Sequence, residues 1–164
     1  MRTAPLIVAG LLAGPANAAL AASALAGTIG VTIPTLSVAE YHRPYVAGWL
    51  EPAAGGPART VFVWYSTKKG NEPGTKWLAE LRTWWRKGGR SLSLPADGVS
   101  GATRTPGTYQ IPLPAGLKPG PYKLFVESAR ETGGRELVTV PISIPATSAR
   151  VTGTTELGAV TVSR

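Results

Sequence analysis

Short runs in which apolar and polar residues alternate, separated by glycine and proline, limit most strongly how this chain can fold. In the clearest run, GPYKLFVESARE at 120–131, Tyr122, Leu124 and Val126 fall on one side of an extended strand. Similar runs occupy residues 27–37, 45–52, 60–66, 107–114, 135–145 and 155–164. Because 20 glycines and 15 prolines provide turns between the runs, the sequence predicts an all-β sandwich of about seven to eight strands.

One segment, GTKWLAELRTWWRKGG at 74–89, has a helical period instead. The apolar side chains that share one face of this helix are Trp77, Leu78, Leu81, Trp84 and Trp85. Thr75 can cap the start and the pair Gly88-Gly89 ends it, so we predict one short helix covering an edge or end of the sandwich. The tryptophans either anchor this helix in the core or, for Trp84 and Trp85, lie partly exposed and stack on a planar ligand.

The first 18 residues, MRTAPLIVAGLLAGPANA, contain a basic residue, a short apolar run and a small-residue end in that order. This order is typical of a secretory signal peptide, so we expect cleavage after Ala18 and a periplasmic or otherwise extracytoplasmic protein. An alanine-rich tail and a retained anchor are the alternatives. Residues 19–164 then form one domain, with a core at about 27–145.

The formal net charge of +8 narrows the classes of partner. Nucleic acid is the usual partner of a basic chain, but export argues against that class. Anionic lipid in a peripheral membrane contact, an acidic protein or a phosphate-bearing ligand fits an exported basic protein better. The alternative is that arginine and lysine only keep the surface soluble.

The chain has no cysteine and one histidine, His42, which excludes several kinds of catalytic centre. Without thiolates, this chain alone cannot build a cysteine nucleophile, a thiolate metal site or an iron–sulfur cluster. One imidazole is too few for a multi-histidine metal or haem site, so we expect no metal ligands. A serine hydrolase is also disfavoured, because Ala102 stands two residues after Ser100, where a nucleophile elbow needs glycine.

The stretch DGVSGATRTPG at 97–107 combines glycines with hydroxyl side chains. Asp97-Gly98 suits a turn, and the small residues that follow leave the Thr103 hydroxyl uncovered. Arg104 comes directly afterwards, and its guanidinium could offset and hydrogen-bond a phosphate ester on that hydroxyl. The residues alone therefore allow either a phosphoester site or an ordinary loop of a sandwich.

The residues D-G-V-S-G-A-T at 97–103 resemble the motif at which bacterial flavin transferases attach FMN to a threonine. The resemblance implies that Thr103 accepts FMN through its phosphate and that Arg104 pairs with this phosphate. The positions that would form the recognition frame are Asp97, Ser100, Gly101 and Ala102. It also implies a separate flavin transferase, which takes FMN from FAD and itself holds the magnesium ion.

Five longer blocks occur in order along the chain: SVAEYHRPYVAGWLE, RTVFVWYS, KWLAELRTWWRK, DGVSGATRTPG and GPYKLFVESARETGGRELVTVPI. Together they resemble the predicted periplasmic proteins of domain-of-unknown-function family 2271 (DUF2271). The resemblance implies an immunoglobulin-like sandwich that carries covalent FMN and works beside a PepSY-type transmembrane reductase. Candidates to pack on the isoalloxazine ring are Trp84, Trp85 and Tyr109, and the YHRPY block at 41–45 could line the flavin face.

We therefore expect an exported flavin-carrying electron-transfer protein, in which the chain positions and tunes FMN and supplies no catalytic residue of its own. The alternative is a non-catalytic periplasmic β-sandwich that binds a partner protein or a polymer through exposed tryptophan and basic side chains. In that case His42 is simply a hydrogen-bonding residue at a strand end.

Overall fold

A computed structural model describes residues 27–67 and 74–164, so the predicted signal peptide at 1–18 lies outside the described residues. The nine strands in these two ranges are β1 (Thr28–Ile33), β2 (Tyr45–Pro52), β3 (Arg59–Tyr65), β4 (Ser100–Ala102), β5 (Gly107–Pro112), β6 (Gly120–Ala129), β7 (Arg135–Ile144), β8 (Ala149–Thr152) and β9 (Ala159–Ser163). A helical segment between β3 and β4 consists of a 3₁₀ helix at Gly74–Glu80, the α-helix α1 at Arg82–Lys87 and a 3₁₀ turn at Gly89–Ser91.

The strands form two sheets around a shared apolar core, which confirms the predicted all-β sandwich. The four-stranded sheet has the order β5-β1-β9-β8, and the five-stranded sheet has the order β4-β3-β2-β6-β7. Neighbouring strands in the described ranges run antiparallel, apart from the parallel pair β3 and β4. One side of the sandwich is therefore bordered by β4 and β5, and the opposite side by β7 and β8.

The sequence does not predict two of these strands, β4 and β8. Strand β4 falls inside the stretch interpreted as a loop, so that interpretation is wrong for Ser100–Ala102, which pairs in parallel with β3. A three-residue strand is too short to show alternation, and its partner lies far away in the sequence. Strands β8 and β9 also extend the core past residue 145, because Leu157, Val160 and Val162 are buried.

Alternation along β6 builds the core between the sheets. Leu124 and Val126 point into it and are fully buried. Phe125 points to the other face, where its ring stacks on Trp49 with 5.1 Å between centroids. The predicted two-sided pattern of this strand is confirmed, and both faces of the five-stranded sheet are covered at its centre.

The helical segment covers the outer face of the five-stranded sheet, and its predicted apolar face is confirmed. Leu78, Leu81 and Trp84 are at most 1% exposed and form a second core with Trp49. The predicted short helix is confirmed as the six-residue α1, which follows a 3₁₀ helix and begins after Leu81. Packing of these large side chains on the sheet decides the local helix type more than the sequence period does.

A carboxylate from another element satisfies the start of α1, in place of the predicted cap Thr75. Glu127 on β6 accepts hydrogen bonds through Oε2 from the backbone N–H groups of Thr83 at 3.0 Å and Trp84 at 2.8 Å. Arg135 donates to Oε1 of the same carboxylate at 2.7 Å. The fully buried charge of Glu127 is therefore satisfied by free helix N–H groups and by a guanidinium.

Candidate functional site

The motif stretch lies along the side of the sandwich that β4 and β5 border, which we call the open edge. The predicted turn at Asp97-Gly98 is present, and Gly98 has a φ of 69°, a left-handed conformation that glycine adopts without strain. After β4, the backbone N–H of Thr103 donates to the carbonyl of Tyr65 at 3.2 Å. The turn and the pairing with β3 together hold Thr103 at the end of β4.

The Thr103 side chain borders a pocket of about 330 Å³, which we call the Thr103 pocket. The other residues that line it are Tyr41, His42, Arg43, Tyr45, Ser66 and Glu131. Thr103 is partly exposed, and its hydroxyl makes no hydrogen bond to any residue in the described ranges. An unpaired hydroxyl that faces solvent at the end of a strand is chemically available to a modifying enzyme.

Polar and ionisable side chains give the Thr103 pocket its chemistry. The Nε2 atom of His42 lies 3.0 Å from Oε1 of Glu40, and its Nδ1 atom lies 3.8 Å from Oε2 of Glu131. Burial raises the pKa of the Tyr41 phenol, although the charge of Arg43 opposes this effect. The phenol therefore stays protonated at neutral pH and is a hydrogen-bond donor for an anionic ligand.

The Tyr45 phenol connects the Thr103 pocket to the helical segment through a hydrogen bond. Tyr45 donates a hydrogen bond from its hydroxyl to the carbonyl of Gly74 at 2.8 Å, at the first residue of the 3₁₀ helix. Burial also raises the pKa of Tyr45, so this donor keeps its proton at neutral pH. The pocket is thus anchored to the outer face of the five-stranded sheet, beside the start of the helical segment.

Arg104 points away from the Thr103 pocket. The central carbon of its guanidinium lies 5.4 Å from the ring centroids of both Trp64 and Tyr109. Those two rings meet edge to face, with 5.5 Å between centroids and an interplanar angle of 69°. Arg104 lines a separate pocket of about 340 Å³, so the structure does not bring this guanidinium to the Thr103 hydroxyl.

The predicted recognition frame lies in a groove between β4 and β5. Two pockets of about 390 Å³ and 340 Å³ share the residues Gly98, Val99, Ile111 and Pro112 and form this groove. Asp97 lines one of them and is exposed, and Ser100 and Gly101 line the other, while Ala102 is exposed. The Oγ atom of Ser100 accepts a hydrogen bond from the backbone of Ala96 at 2.9 Å, so this hydroxyl already has a structural partner.

The structure does not gather the three predicted ring-contacting aromatics around Thr103. Trp84 is 1% exposed and donates from Nε1 to the Thr60 hydroxyl at 3.0 Å, so its indole has no face for a ligand. Trp85 is half-buried beside it, with 6.3 Å between ring centroids. Tyr109 lies in the groove against Arg104.

Two residues of the Thr103 pocket were not predicted as site residues. Ser66 follows β3, and Glu131 follows β6, so each reaches the pocket only because its strand lies in the same sheet as β4. The YHRPY block, by contrast, does border Thr103, since Tyr41, His42 and Arg43 line its pocket. The resemblance had indicated these three residues for the flavin face. Ser66 and Glu131 lie in two other blocks of the same resemblance, RTVFVWYS and GPYKLFVESARETGGRELVTVPI, which indicated no role for either residue.

The described residues contain neither a metal-binding cluster nor a membrane-spanning helix. No group of three or more His, Asp or Glu side chains within 27–67 and 74–164 could hold a metal ion. In the same part of the chain, no helix has both the length and the apolar character needed to cross a bilayer.

Comparisons with known proteins identify the family. The family model described as "Predicted periplasmic protein (DUF2271)" matches residues 26–159, which is well over half of the chain. Neither the curated proteins nor the solved structures contain a match. The family description confirms the predicted extracytoplasmic location. This chain therefore belongs to the DUF2271 family of predicted periplasmic proteins.

Proposed function

We propose that this protein is an extracytoplasmic electron carrier with FMN attached to Thr103 through a phosphoester. The observation that carries the proposal is the Thr103 hydroxyl, which is partly exposed, has no hydrogen-bond partner in the described ranges and borders a polar pocket. The resemblance of residues 97–103 to a flavin-attachment motif points to the same residue. When bound, FMN supplies reversible electron transfer, and the chain holds and shields it.

The attachment is a phosphoryl transfer in which no group is oxidised or reduced. The oxygen of Thr103 forms a bond to the phosphorus on the FMN side of FAD, and the pyrophosphate P–O bond to AMP breaks. AMP leaves, and the hydroxyl proton passes to a base of the flavin transferase. This chain contributes the acceptor oxygen, while the metal ion that activates FAD belongs to the transferase.

The cation best situated to meet the phosphate is Arg43. It is exposed and lines the same pocket as Thr103, whereas Arg104 stacks on Trp64 and Tyr109 in the neighbouring pocket. A guanidinium can offer two parallel N–H groups to a phosphate, which makes it a suitable partner. We therefore propose Arg43 as the phosphate contact in place of Arg104, and the protonated phenol of Tyr41 as a further donor.

Coexpression with a flavin transferase tests the attachment. The mature protein should gain the mass of one FMN less one water and become yellow. Thr103→Ala should abolish the added mass, and Thr103→Ser should retain it, because serine keeps the acceptor oxygen. Thr105→Ala, at a hydroxyl residue outside the 97–103 motif, is the matched control and should still be modified. An unmodified wild-type chain, alongside a transferase that modifies its own known substrate, would overturn the proposal.

A second comparison tests the phosphate contact. Arg43→Ala should slow attachment or loosen the bound flavin, seen as lower occupancy by intact mass at early times. Arg104→Ala should leave occupancy close to that of the wild type. The opposite order would mean that Arg104 leaves its aromatic contacts and turns to the phosphate.

The electron partner we propose is a PepSY-type transmembrane reductase. The test is reduction of the flavinylated protein by membranes that contain such a reductase, followed by absorbance of the flavin. Thr103→Ala protein provides the blank. Bleaching that is equally fast with membranes lacking the reductase would exclude this partner.

A non-catalytic binding module is the alternative proposal, and it needs exposed tryptophan and basic side chains. Trp84 is buried in the second core, whereas Trp77 and Trp85 are partly exposed on the helical segment, where Arg86 and Lys87 are also exposed. No observation on this fold favours a polymer over other ligands.

A further inference from the structure

Cations from three elements gather on the outer face of the five-stranded sheet. We call this surface the basic face; its residues are Arg82, Arg86, Lys87, Arg90, Lys123 and Arg135. Four of these residues belong to the helical segment, which covers the outer face of the sheet that contains β6 and β7. Lys123 on β6 lies opposite Glu51 on β2, and Oε2 of Glu51 lies 3.0 Å from Nζ of Lys87. Arg135 contacts Glu127 at the start of α1, so both strands join the helical segment in one surface.

Each carboxylate of the basic face is less exposed than the cation with which it pairs. The side chain of Glu127 is 0% exposed and that of Glu51 is 18% exposed, while their partners Arg135 and Lys87 are 41% and 51% exposed. The third carboxylate, Glu80, is 44% exposed and lies 3.6 Å from Arg82, which is 65% exposed. Because the six cations outnumber these three carboxylates and each paired cation is more exposed than its partner, the surface is positive on the outside.

Two of the cations have no acidic partner among the residues that the structure describes. Arg86 and Arg90 are exposed and form no ion pair with any residue in 27–67 or 74–164. Both are therefore fully available to an external anion. Both lie exposed at the end of the helical segment, and cations spread along a surface suit an extended anionic partner.

We propose that the basic face docks the protein on an anionic phospholipid surface. Phosphate headgroups attract exposed cations, and the attraction weakens with salt. Trp77 and Trp85 are partly exposed on the same segment, and tryptophan favours the depth of the headgroups in a bilayer. Since the family is described as periplasmic, a membrane surface lies within reach. Docking does not depend on FMN, but it would hold the Thr103 pocket near the bilayer, because Tyr45 ties that pocket to Gly74.

Vesicle sedimentation with the mature protein tests this docking. The protein should sediment with phosphatidylcholine vesicles in which phosphatidylglycerol is a quarter of the lipid, and should remain in solution with pure phosphatidylcholine. Binding should fall as salt rises. The double variant Arg86→Glu with Arg90→Glu should bind about tenfold more weakly or worse, because each cation near the surface contributes severalfold to affinity.

The matched control is the double variant Lys118→Glu with Arg150→Glu, which reverses the charge at two positions. Both residues are exposed and lie outside the basic face. It has the same net charge as the test variant and should keep most of the binding. Circular dichroism and thermal unfolding verify that both variants fold. Equal loss in the two double variants would overturn the proposal, since net charge alone would then explain binding. Binding to soluble polyglutamate but not to the vesicles would overturn it in favour of an acidic protein partner.

Discussion

The two sides of the sandwich use their polar groups in opposite ways. On the side bordered by β7 and β8, which we call the closed edge, carboxylates are saturated with donors from the chain itself. On the open edge, the Thr103 hydroxyl at the end of β4 has no partner in the described residues, and two pockets separate β4 from β5. A polar group that is already satisfied stabilises the fold, whereas a free one beside an accessible cavity is available to a ligand.

Two carboxylates, the buried Glu156 and the half-buried Glu136, hold the closed edge. Glu136 on β7 accepts hydrogen bonds from the backbone N–H groups of Thr154, Thr155, Glu156 and Leu157, over distances of 2.6 to 3.1 Å. Glu156 in turn receives two bonds from the Arg130 guanidinium, at 2.7 and 2.9 Å. These carboxylates thus bind the turn between β8 and β9 to the five-stranded sheet. We therefore expect mutations here to lower the free energy of unfolding far more than mutations on the open edge.

The largest expected effect is that of Glu156→Ala. The change leaves the Arg130 side chain, which is 7% exposed, as an unpaired buried cation. We expect a loss of about 4 kcal/mol in the free energy of unfolding, measured by urea denaturation. Glu40→Ala removes an exposed carboxylate and should change this value by less than about 0.5 kcal/mol. A loss no larger than that of the control would show that the ion pair does not hold the closed edge.

Glu136→Gln should have a smaller effect that depends on pH. Burial alone would raise the pKa of Glu136, but the four backbone donors outweigh it and lower the pKa from 4.5 to about 2. Because the folded state favours the carboxylate, its contribution is complete above the unfolded pKa and disappears as pH falls through about 2. Allowing for partial solvent contact, we expect the variant to lose about 2 kcal/mol at neutral pH.

The pH dependence of the Glu136→Gln effect provides its own control. Stability curves of wild type and variant should converge between pH 4.5 and about 2, since the protonated glutamate resembles glutamine. A gap of constant size across that range would mean that the loss comes from packing of the amide and not from the charge.

On the open edge, Arg104→Ala should lower the free energy of unfolding by about 1 kcal/mol. Its guanidinium lies over two rings at a surface position, and such contacts are each modest in water. Arg90→Ala, which removes an exposed arginine without an ion pair, should be neutral by comparison. If both variants unfold at the same denaturant concentration as the wild type, the stacking makes no contribution to stability.

The smallest expected effect is that of Thr103→Ala on the unmodified protein. The alanine keeps the backbone hydrogen bond to Tyr65, and the lost hydroxyl has no partner among the described residues. The free energy of unfolding should therefore change by less than about 0.5 kcal/mol. Ser100→Ala, in the same motif, breaks the bond from Ala96 and should cost about 1 kcal/mol. A larger cost for Thr103→Ala than for Ser100→Ala would argue that Thr103 is a structural residue.

Much of the sandwich could be predicted from the sequence, because alternation is a local property. The pattern of β6 and the apolar face of the helical segment are confirmed by the burial of Leu124, Val126 and Trp84. The break at Leu81 could not be predicted, since packing on the sheet and the carboxylate of Glu127 determine where α1 begins. Strand β4 has only three residues, and it exists through its pairing with β3.

The candidate site also has one part that the sequence predicted and another that only the structure shows. Thr103 as the FMN acceptor stays a prediction from its motif, and the structure adds the YHRPY block, Ser66 and Glu131 as its neighbours. That Arg104 turns toward Trp64 and Tyr109 could not be known beforehand. Whether consecutive side chains meet the same cavity depends on the strand's orientation in the sheet.

By itself, the sequence determined the fold class, the buried face of the helical segment and the excess of positive charge, because each depends only on residue type and spacing. Only the tertiary structure decided which polar groups are satisfied and which remain free. Hydrogen-bond partners such as Glu136 with the turn at 154–157 come from distant parts of the chain. Their pairing requires the closing of long loops, which local periodicity does not encode.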